Sequence, residues 1–453
     1  MISESPNRRV GPYTAYYNRP LPDADISLAE TGPGTKAGEY LRRYWHPFAL
    51  SSEVRDVPVP VRLLGEDLVL FRNKAGELGL LHAPCIHRGV SLGYGIIEQR
   101  GIRCCYHGWL FANDGTVLET PAEPPTSRIK TNFVQGAYPV RERDGLIFAY
   151  MGPPEQMPVL PQYDSLDHPA GTKLVPIKIQ YPCNWIQIVE NACDPIHNAY
   201  LHAIVSGQQF SPAFAILPAL DFVPTPQGFL SMATRRVKDN VFIRASDIIM
   251  PNVAQFTGAA LMADKESFGI SALLTRWVTP VDDQNSWYIG YIHVNDWTDP
   301  EHQIDPDALG FDRMGLIGQT PHRPHRERQL EPGDYDALVA QGPIANRRNE
   351  HLGTTDRGVV TFRRMLSRGI AAVDAGEAPE QPKVTDDGAA RTYTFELVMP
   401  LPASSSIGDL TSLAAFGKRA AGIVIDTDRL DPLEREHTAR ARIAETLVTE
   451  FVR

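Results

Sequence analysis

Two short runs constrain this chain of 453 residues more than anything else in it: Cys85-Ile86-His87-Arg88-Gly89, and then Cys104-Cys105-Tyr106-His107-Gly108-Trp109. Each run offers one thiolate and one imidazole, and each sits in a glycine-containing loop between strand-like segments. Two loops of this kind can grip one metal centre from two sides. Zinc accepts the same donor set, but zinc fingers pair Cys with Cys and His with His within each half. Here each half is mixed. That order suits a [2Fe-2S] cluster with both thiolates on one iron and both imidazoles on the other. The five cysteines of the chain are too few for a disulfide framework at this length. In a reducing compartment, clustered cysteines point to metal or redox chemistry.

A chain of this length holds two or three domains. Hydrophobic residues make up 43% and charged residues 22%, the balance of a globular protein. The net charge of -10 has the wrong sign for a protein that lives on phosphate backbones, so nucleic acid is not expected as a partner. The first residues, Met1 to Arg9, lack the apolar run of a signal peptide. No stretch approaches the roughly 18 apolar residues of a membrane span, so a soluble cytoplasmic protein is expected.

Residues 1–45 read as a Pro-rich arm and a short helix from Gly34 to Trp45 that ends before Pro47. Residues 46–160 read as a small antiparallel β domain, with strands at Pro60–Gly65, Leu68–Arg72 and Gly145–Tyr150. Prolines between Pro153 and Pro161 suit a stiff linker. Residues 161–453 read as an α+β domain with strands such as Lys173–Ile179 and Ser286–Val294. Within it, 300–350 reads as a polar insertion or lid. Asp431-Pro432-Leu433-Glu434 starts a terminal helix whose packing face carries Ile443, Leu447 and Phe451, with Ala444 and Val448 beside them.

Cys-x-His-Arg-Gly followed by Cys-x-x-His-Gly-Trp resembles the Rieske iron-sulfur domain. The resemblance implies that Cys85, His87, Cys104 and His107 bind the cluster, and that Cys105, where the family usually has Pro, is a spare thiol. A second run, Asn184-Trp185 through Glu190-Asn191-Ala192-Cys193-Asp194-Pro195-Ile196-His197-Asn198-Ala199-Tyr200-Leu201-His202, is weaker alone. Two histidines five apart lie about 140° apart on an ideal α-helix, so they converge only if the helix ends, bends or carries a π-bulge. Beside the first motif it resembles the mononuclear iron motif of Rieske non-heme iron oxygenases.

That resemblance implies an N-terminal antiparallel β Rieske domain followed by a helix-grip-like catalytic domain with a central antiparallel sheet. It implies Fe(II) held by His197, His202 and a distant carboxylate. Asp356 is the expected third ligand, with Glu350 as its competitor, because Gly353 to Leu366 resembles the corresponding helix of the branch containing phthalate dioxygenase and the aryl-ether O-demethylases. Read from the residues alone, Asp356 equally caps a helix. Asp194 is implied to join the mononuclear site to His107 of a neighbouring subunit, which requires a ring of subunits, a trimer or a dimer of trimers.

The implied function is that of an oxygenase component. It uses O2, and electrons from a separate reductase with or without a ferredoxin, to hydroxylate or O-demethylate an aromatic, carboxylated or phenolic compound. No Gly-rich dinucleotide fingerprint is evident, so NADH and flavin are expected on the reductase. Arg235, Arg236 and Arg244, on strand-like segments, are candidates to bind an anionic substrate. A non-enzymatic Rieske electron carrier and a zinc-stabilised binding protein are the alternatives. The carrier has no use for the second histidine pair.

Overall fold

The computed structural model describes residues 9–18, 25–205, 211–258, 266–315, 318–385, 388–401 and 410–451. The helix expected from Gly34 covers only Lys36–Leu41, started by Thr35, whose hydroxyl accepts the Gly38 N–H. Pro47 does not end it. Strand Trp45–Leu50 pairs with Leu146–Tyr150, and this pairing claims the residues before the proline.

The first third of the chain forms three small antiparallel sheets. Trp45–Leu50, Leu146–Tyr150 and Val140–Arg143 make one; Val59–Leu63, Glu66–Arg72 and Leu78–His82 make the second. The third has four short strands, Ile96–Glu98, Gly101–Arg103, Leu110–Phe111 and Val117–Glu119. The two Cys/His runs are loops of one design. Gly89 N–H donates to Cys85 O and Cys85 N–H to Val90 O; Gly108 N–H donates to Cys104 O and Cys104 N–H to Trp109 O. Gly89 and Gly108 close these turns at φ 77° and 73°, in the left-handed region where glycine carries no Cβ penalty.

The rest of the chain is built on a nine-stranded antiparallel sheet. Its main path runs Lys173–Tyr181, Ser286–Val294, Leu274–Pro280, Val253–Phe256, Asn240–Ile249, Gly228–Val237, Ala219–Thr225, with Phe395–Pro400 and Ser267–Gly269 joined beside Asn240–Ile249. Alternation along a strand sends successive side chains to opposite faces. Leu230, Met232, Ile243 and Phe395 thus pack under helices Leu410–Asp426 and Pro432–Phe451, while Ser231, Ala233 and Arg235 face the other way, into a cavity. The terminal helix starts as expected, with Asp431 accepting the Leu433 and Glu434 N–H groups. Ile443 and Leu447 are buried on it, whereas Val448 is exposed.

One apolar core runs through both parts, from Leu63, Leu64 and Ile147 to Ile177, Trp185, Phe362 and Leu366. Across it Lys178 donates to both carboxylate oxygens of Glu53 at 3.0 and 2.9 Å. The Pro-rich stretch is tied down, since Trp45 Nε1 donates to Pro158 O. Within 300–350, the stretch read as a polar insertion or lid, one helix is packed onto the body of the domain. Helix Asp334–Val339 lies against helix Trp185–Ala192, where Gln187 donates to Leu338 O and Gly342 O. Among the described residues no helix is long and apolar enough to cross a membrane.

Candidate metal centres

The paired loops bring Cys85 and Cys104 together as buried free thiols, each 3% exposed. Burial, reinforced by the neighbouring Cys104 sulfur, pushes the Cys85 thiol up to about 11 against a hydrogen bond from the His87 N–H. His87 lies flat on Trp109, 4.4 Å between centroids, with the His107 ring 4.5 Å away. His87 Nδ1 is buried and has no partner among the described residues. Two packed thiols beside an orphaned imidazole nitrogen are costly unless a metal centre takes both, so the residues fit a cluster. Cys105 is exposed. A residue the sequence reading did not single out, Gln135, fastens the first loop: it accepts the Ile86 N–H and donates to His82 O and Pro84 O.

The second motif begins at Asn184, whose side chain caps helix Trp185–Ala192 and donates to Ala29 O and Asp283 O. The helix stops before Pro195, makes one turn at His197–Ala199, and continues as π-helix over Tyr200–Val205. A π-helix bonds residues five apart, which narrows the angular mismatch between His197 and His202. Their ring centroids lie 5.3 Å apart.

The carboxylate that joins them is Asp334. Its Oδ1 lies 3.1 Å from His202 Nε2 and 3.6 Å from His197 Nε2. The donor atoms of these three side chains all lie within 4.8 Å of one another, close enough to share a single metal ion. Gln319 donates to Asp334 Oδ2 at 2.7 Å and Asn191 to Oδ1 at 3.0 Å. Burial alone would raise the Asp334 carboxyl; the His202 charge and hydrogen bond, then His197 and Gln319, outweigh it and hold the group well below the usual range. Burial lowers His197, so its neutral, ligating form is favoured.

Asp356 does not reach this group. It closes the short turn Thr354–Asp356 that leads into helix Arg357–Asp374, where its carboxylate reaches back to accept the Gly353 N–H at 2.6 Å, a role that an acid at a helix start takes without any metal. Glu350, the competitor, is bound with Glu190 around Arg363. Asp334 follows Pro332-Gly333 inside the stretch read as an insertion, 132 residues beyond His202 in sequence. The only local signal was a helix start with two acids in its first turn, Asp334 and Asp336.

Asp194 lies beside the pair with its side chain 31% exposed. Its backbone carbonyl, not its carboxylate, meets His197 Nδ1; the carboxylate accepts the Ile196 N–H and stands 4.0 Å from that ring nitrogen. A carbonyl only accepts, so Nδ1 carries the proton and Nε2 keeps its lone pair for a metal.

The three converging residues line a cavity of about 130 Å³ that Phe214, Phe256 and Tyr288 make largely apolar. Arg235 and Arg244 reach it, as does Arg276, which the sequence reading did not single out. Arg236 does not. It is the next residue on its strand, points away, and donates to Lys238 O.

The Rieske [2Fe-2S] domain family matches residues 44–136. The tert-butanol monooxygenase / tert-amyl alcohol desaturase oxygenase subunit of Aquincola tertiaricarbonis is 43% identical over 402 residues, 84% of each chain. The chain belongs to the Rieske non-heme iron oxygenases. It is the oxygenase subunit of a multicomponent enzyme, in the branch that the helix after Gly353 resembled. The alpha subunit of phenoxybenzoate dioxygenase from Ectopseudomonas oleovorans is 40% identical over 372 residues, 78% of this chain and 87% of that one. The fold of this Rieske oxygenase is matched by Pseudomonas putida CBB5 NdmA with caffeine, at a TM-score of 0.58 and 18% identity over 77% of this chain and all of that one. A bare electron carrier is not favoured: the chain has the second, cavity-facing donor set as well as the paired loops.

Proposed function

We propose that Cys85, His87, Cys104 and His107 hold the [2Fe-2S] cluster and that His197, His202 and Asp334 hold a mononuclear Fe(II), the pair serving oxidation of an aromatic, carboxylated or phenolic substrate by hydroxylation or O-demethylation. The observation that carries this reading is the convergence of Asp334 on the two histidines at the wall of an apolar cavity. When bound, the cluster supplies single electrons, and the iron supplies open positions where O2 is reduced beside the substrate.

The chain's own residues orient and exclude. Asp194 O holds the proton of His197 at Nδ1, Gln319 donates to one oxygen of Asp334, and Asn191 donates to the other, which faces the histidines. Phe214, Phe256 and Tyr288 keep bulk water from the reacting face. A cavity of roughly 150 Å³ takes one benzene ring, so this one suits a single ring. The partly exposed Asp194 carboxylate, one oxygen of which takes the Ile196 N–H, accepts an N–H from the partner subunit's His107 through the other, in a trimer or dimer of trimers. NADH and flavin belong to a separate cytoplasmic reductase. The division at residues 45/46 and 160/161 follows from this reading.

Two measurements test it. Three irons and two sulfides per chain are expected, against two irons for a carrier. With reductase, NADH and isotopic oxygen, a panel of aromatic acids, phenols and methoxylated aromatics should yield a product labelled in the ring, or a demethylated phenol with formaldehyde. A panel turned over nowhere, while tert-butanol is oxidised, would replace the aromatic substrate with a small tertiary alcohol.

A further inference from the structure

Three guanidinium groups reach the cavity, and they differ in what answers their charge. Arg276 donates to Ile188 O at 2.9 Å and stands over the rings of Tyr288 and Phe256, 4.8 and 5.0 Å from their centroids. Arg244 is paired in register with Glu396 on the adjacent strand, and both Glu396 and Asp334 act on its charge. Arg235 has no such counterpart among the described residues. Its Nε donates to Ile216 O at 2.8 Å, which leaves Nη1 and Nη2 buried with no partner among the described residues. The residue is 1% exposed, Phe214 and Phe242 flank it at 5.1 and 5.9 Å, and among the described residues the charge acting on it is the like charge of Arg244.

A buried charge without a counterion is among the costliest arrangements in a folded chain, and two free N–H groups on a planar fork match a carboxylate bidentately. The strand geometry leaves room for one. Ser231, Ala233 and Arg235 share the cavity face of strand Gly228–Val237, and Ser246 lies opposite Ser231 on the next strand. These small side chains make an open floor beside the guanidinium. The same cavity ends at His197, His202 and Asp334.

We propose that Arg235 is the specificity residue of this oxygenase, binding the carboxylate of a single-ring arene carboxylic acid whose ring lies over Ser231, Ala233 and Ser246. This rests on the oxygenase reading of the same cavity. It separates the chain from a relative named for a neutral tertiary alcohol, because an alcohol offers no charge to a buried guanidinium.

The test is equilibrium binding by calorimetry to the metal-replete protein, with benzoate and its neutral isostere benzamide as probes. Benzoate should bind about 10- to 100-fold tighter than benzamide, the worth of a charge-assisted pair. Arg235→Gln should remove that preference by weakening benzoate alone, with unchanged benzamide binding showing the cavity intact. Arg235→Lys should restore part of it, and Arg236→Gln, outside the cavity, should change neither. Equal binding of the two probes by the wild-type protein overturns the proposal without any variant having to fold. So does a benzoate preference that survives Arg235→Gln, or binding of tert-butanol but not benzoate. The oxygenase reading fails separately, on fewer than three irons per chain or no reductase-dependent oxygen uptake.

Discussion

The two proposed donor sets are drawn from very different distances along the chain. Cys85, His87, Cys104 and His107 come from two hairpin-like loops that repeat one hydrogen-bond pattern, each closed by a glycine in the left-handed region. The proposed mononuclear set takes His197 and His202 from a broken helix and Asp334 from a short helix far along the chain, brought in by packing against helix Trp185–Ala192. Local turns place the first set almost alone. The second exists only once the core has formed. Loss of tertiary packing should therefore dismantle the mononuclear donors first.

The largest effect expected from breaking this contrast is at the distant carboxylate. Asp334→Ala should lower mononuclear iron content and turnover more than about a hundredfold, beyond the 10- to 100-fold typical of an orienting group, while the cluster absorbance stays. Cys104→Ala should do the reverse and bleach the cluster, whereas Cys105→Ala should leave it. Metal analysis with visible and low-temperature magnetic spectra reads both. Normal iron in Asp334→Ala would return the ligand role to another acid.

Next in size is the link between the centres. Asp194→Asn replaces an acceptor of two N–H groups with an amide that has one acceptor end and one donor end. Both centres should stay occupied while electron transfer between them slows about tenfold or more in single-turnover kinetics. Rings assembled from His107→Ala and His202→Ala chains should recover part of the activity that each lacks alone. Inactive mixed rings, beside active mixed wild-type and tagged wild-type rings, would show that electrons do not cross between subunits.

This contrast also explains what the sequence made legible. Spacing within a loop is itself a sequence pattern, so the paired Cys/His loops were readable, and so were strands such as Ser286–Val294. The spacing of His197 and His202 required a break or π-turn, and the structure has both. Asp334 and Asp356 are both acids at helix starts. Nothing in either neighbourhood says which helix lies across from His202, since that is settled by Gln187 binding the chain at Leu338 and Gly342. Likewise, two adjacent arginines on one strand look alike until the sheet assigns Arg235 to the cavity and Arg236 to the opposite face.

A smaller effect bears on whether the two regions unfold together. His46, on a strand of the first region, is fully buried at the seam, with Nε2 against Leu41 O and Nδ1 facing the Asn252 amide of the large sheet. Burial, with some help from Arg42 and against the Leu41 carbonyl, pushes it down to about 4. The folded state then binds fewer protons than the unfolded one between that value and about 6.5, so stability is full above pH 6.5 and is lost as pH falls toward 4. The loss is about 3 kcal/mol over the window. Urea unfolding followed by cluster absorbance and by far-ultraviolet circular dichroism should move in parallel between pH 7.5 and pH 5, and His46→Gln should shrink the shift in both. A shift confined to the cluster signal would mean that the first region opens alone.

The smallest effect is the one that separates the two acids most cleanly. Asp356 accepts the Gly353 N–H before an 18-residue helix that carries Phe362 and Leu366 into the core. Losing a reach-back bond of this kind costs about 1 kcal/mol, and Asp356 is not among the donors that converge on the histidines. Asp356→Ala should therefore lower the unfolding free energy by about 1 kcal/mol and leave iron content and turnover within about twofold of the wild type. Asp356→Asn or Asp356→Ser, which can still accept the amide proton, should recover most of that stability, an outcome no metal ligand would give. If Asp356→Ala instead loses mononuclear iron while Asp334→Ala keeps it, the convergence at His202 is not the metal site, and the carboxylate expected from sequence resemblance takes its place.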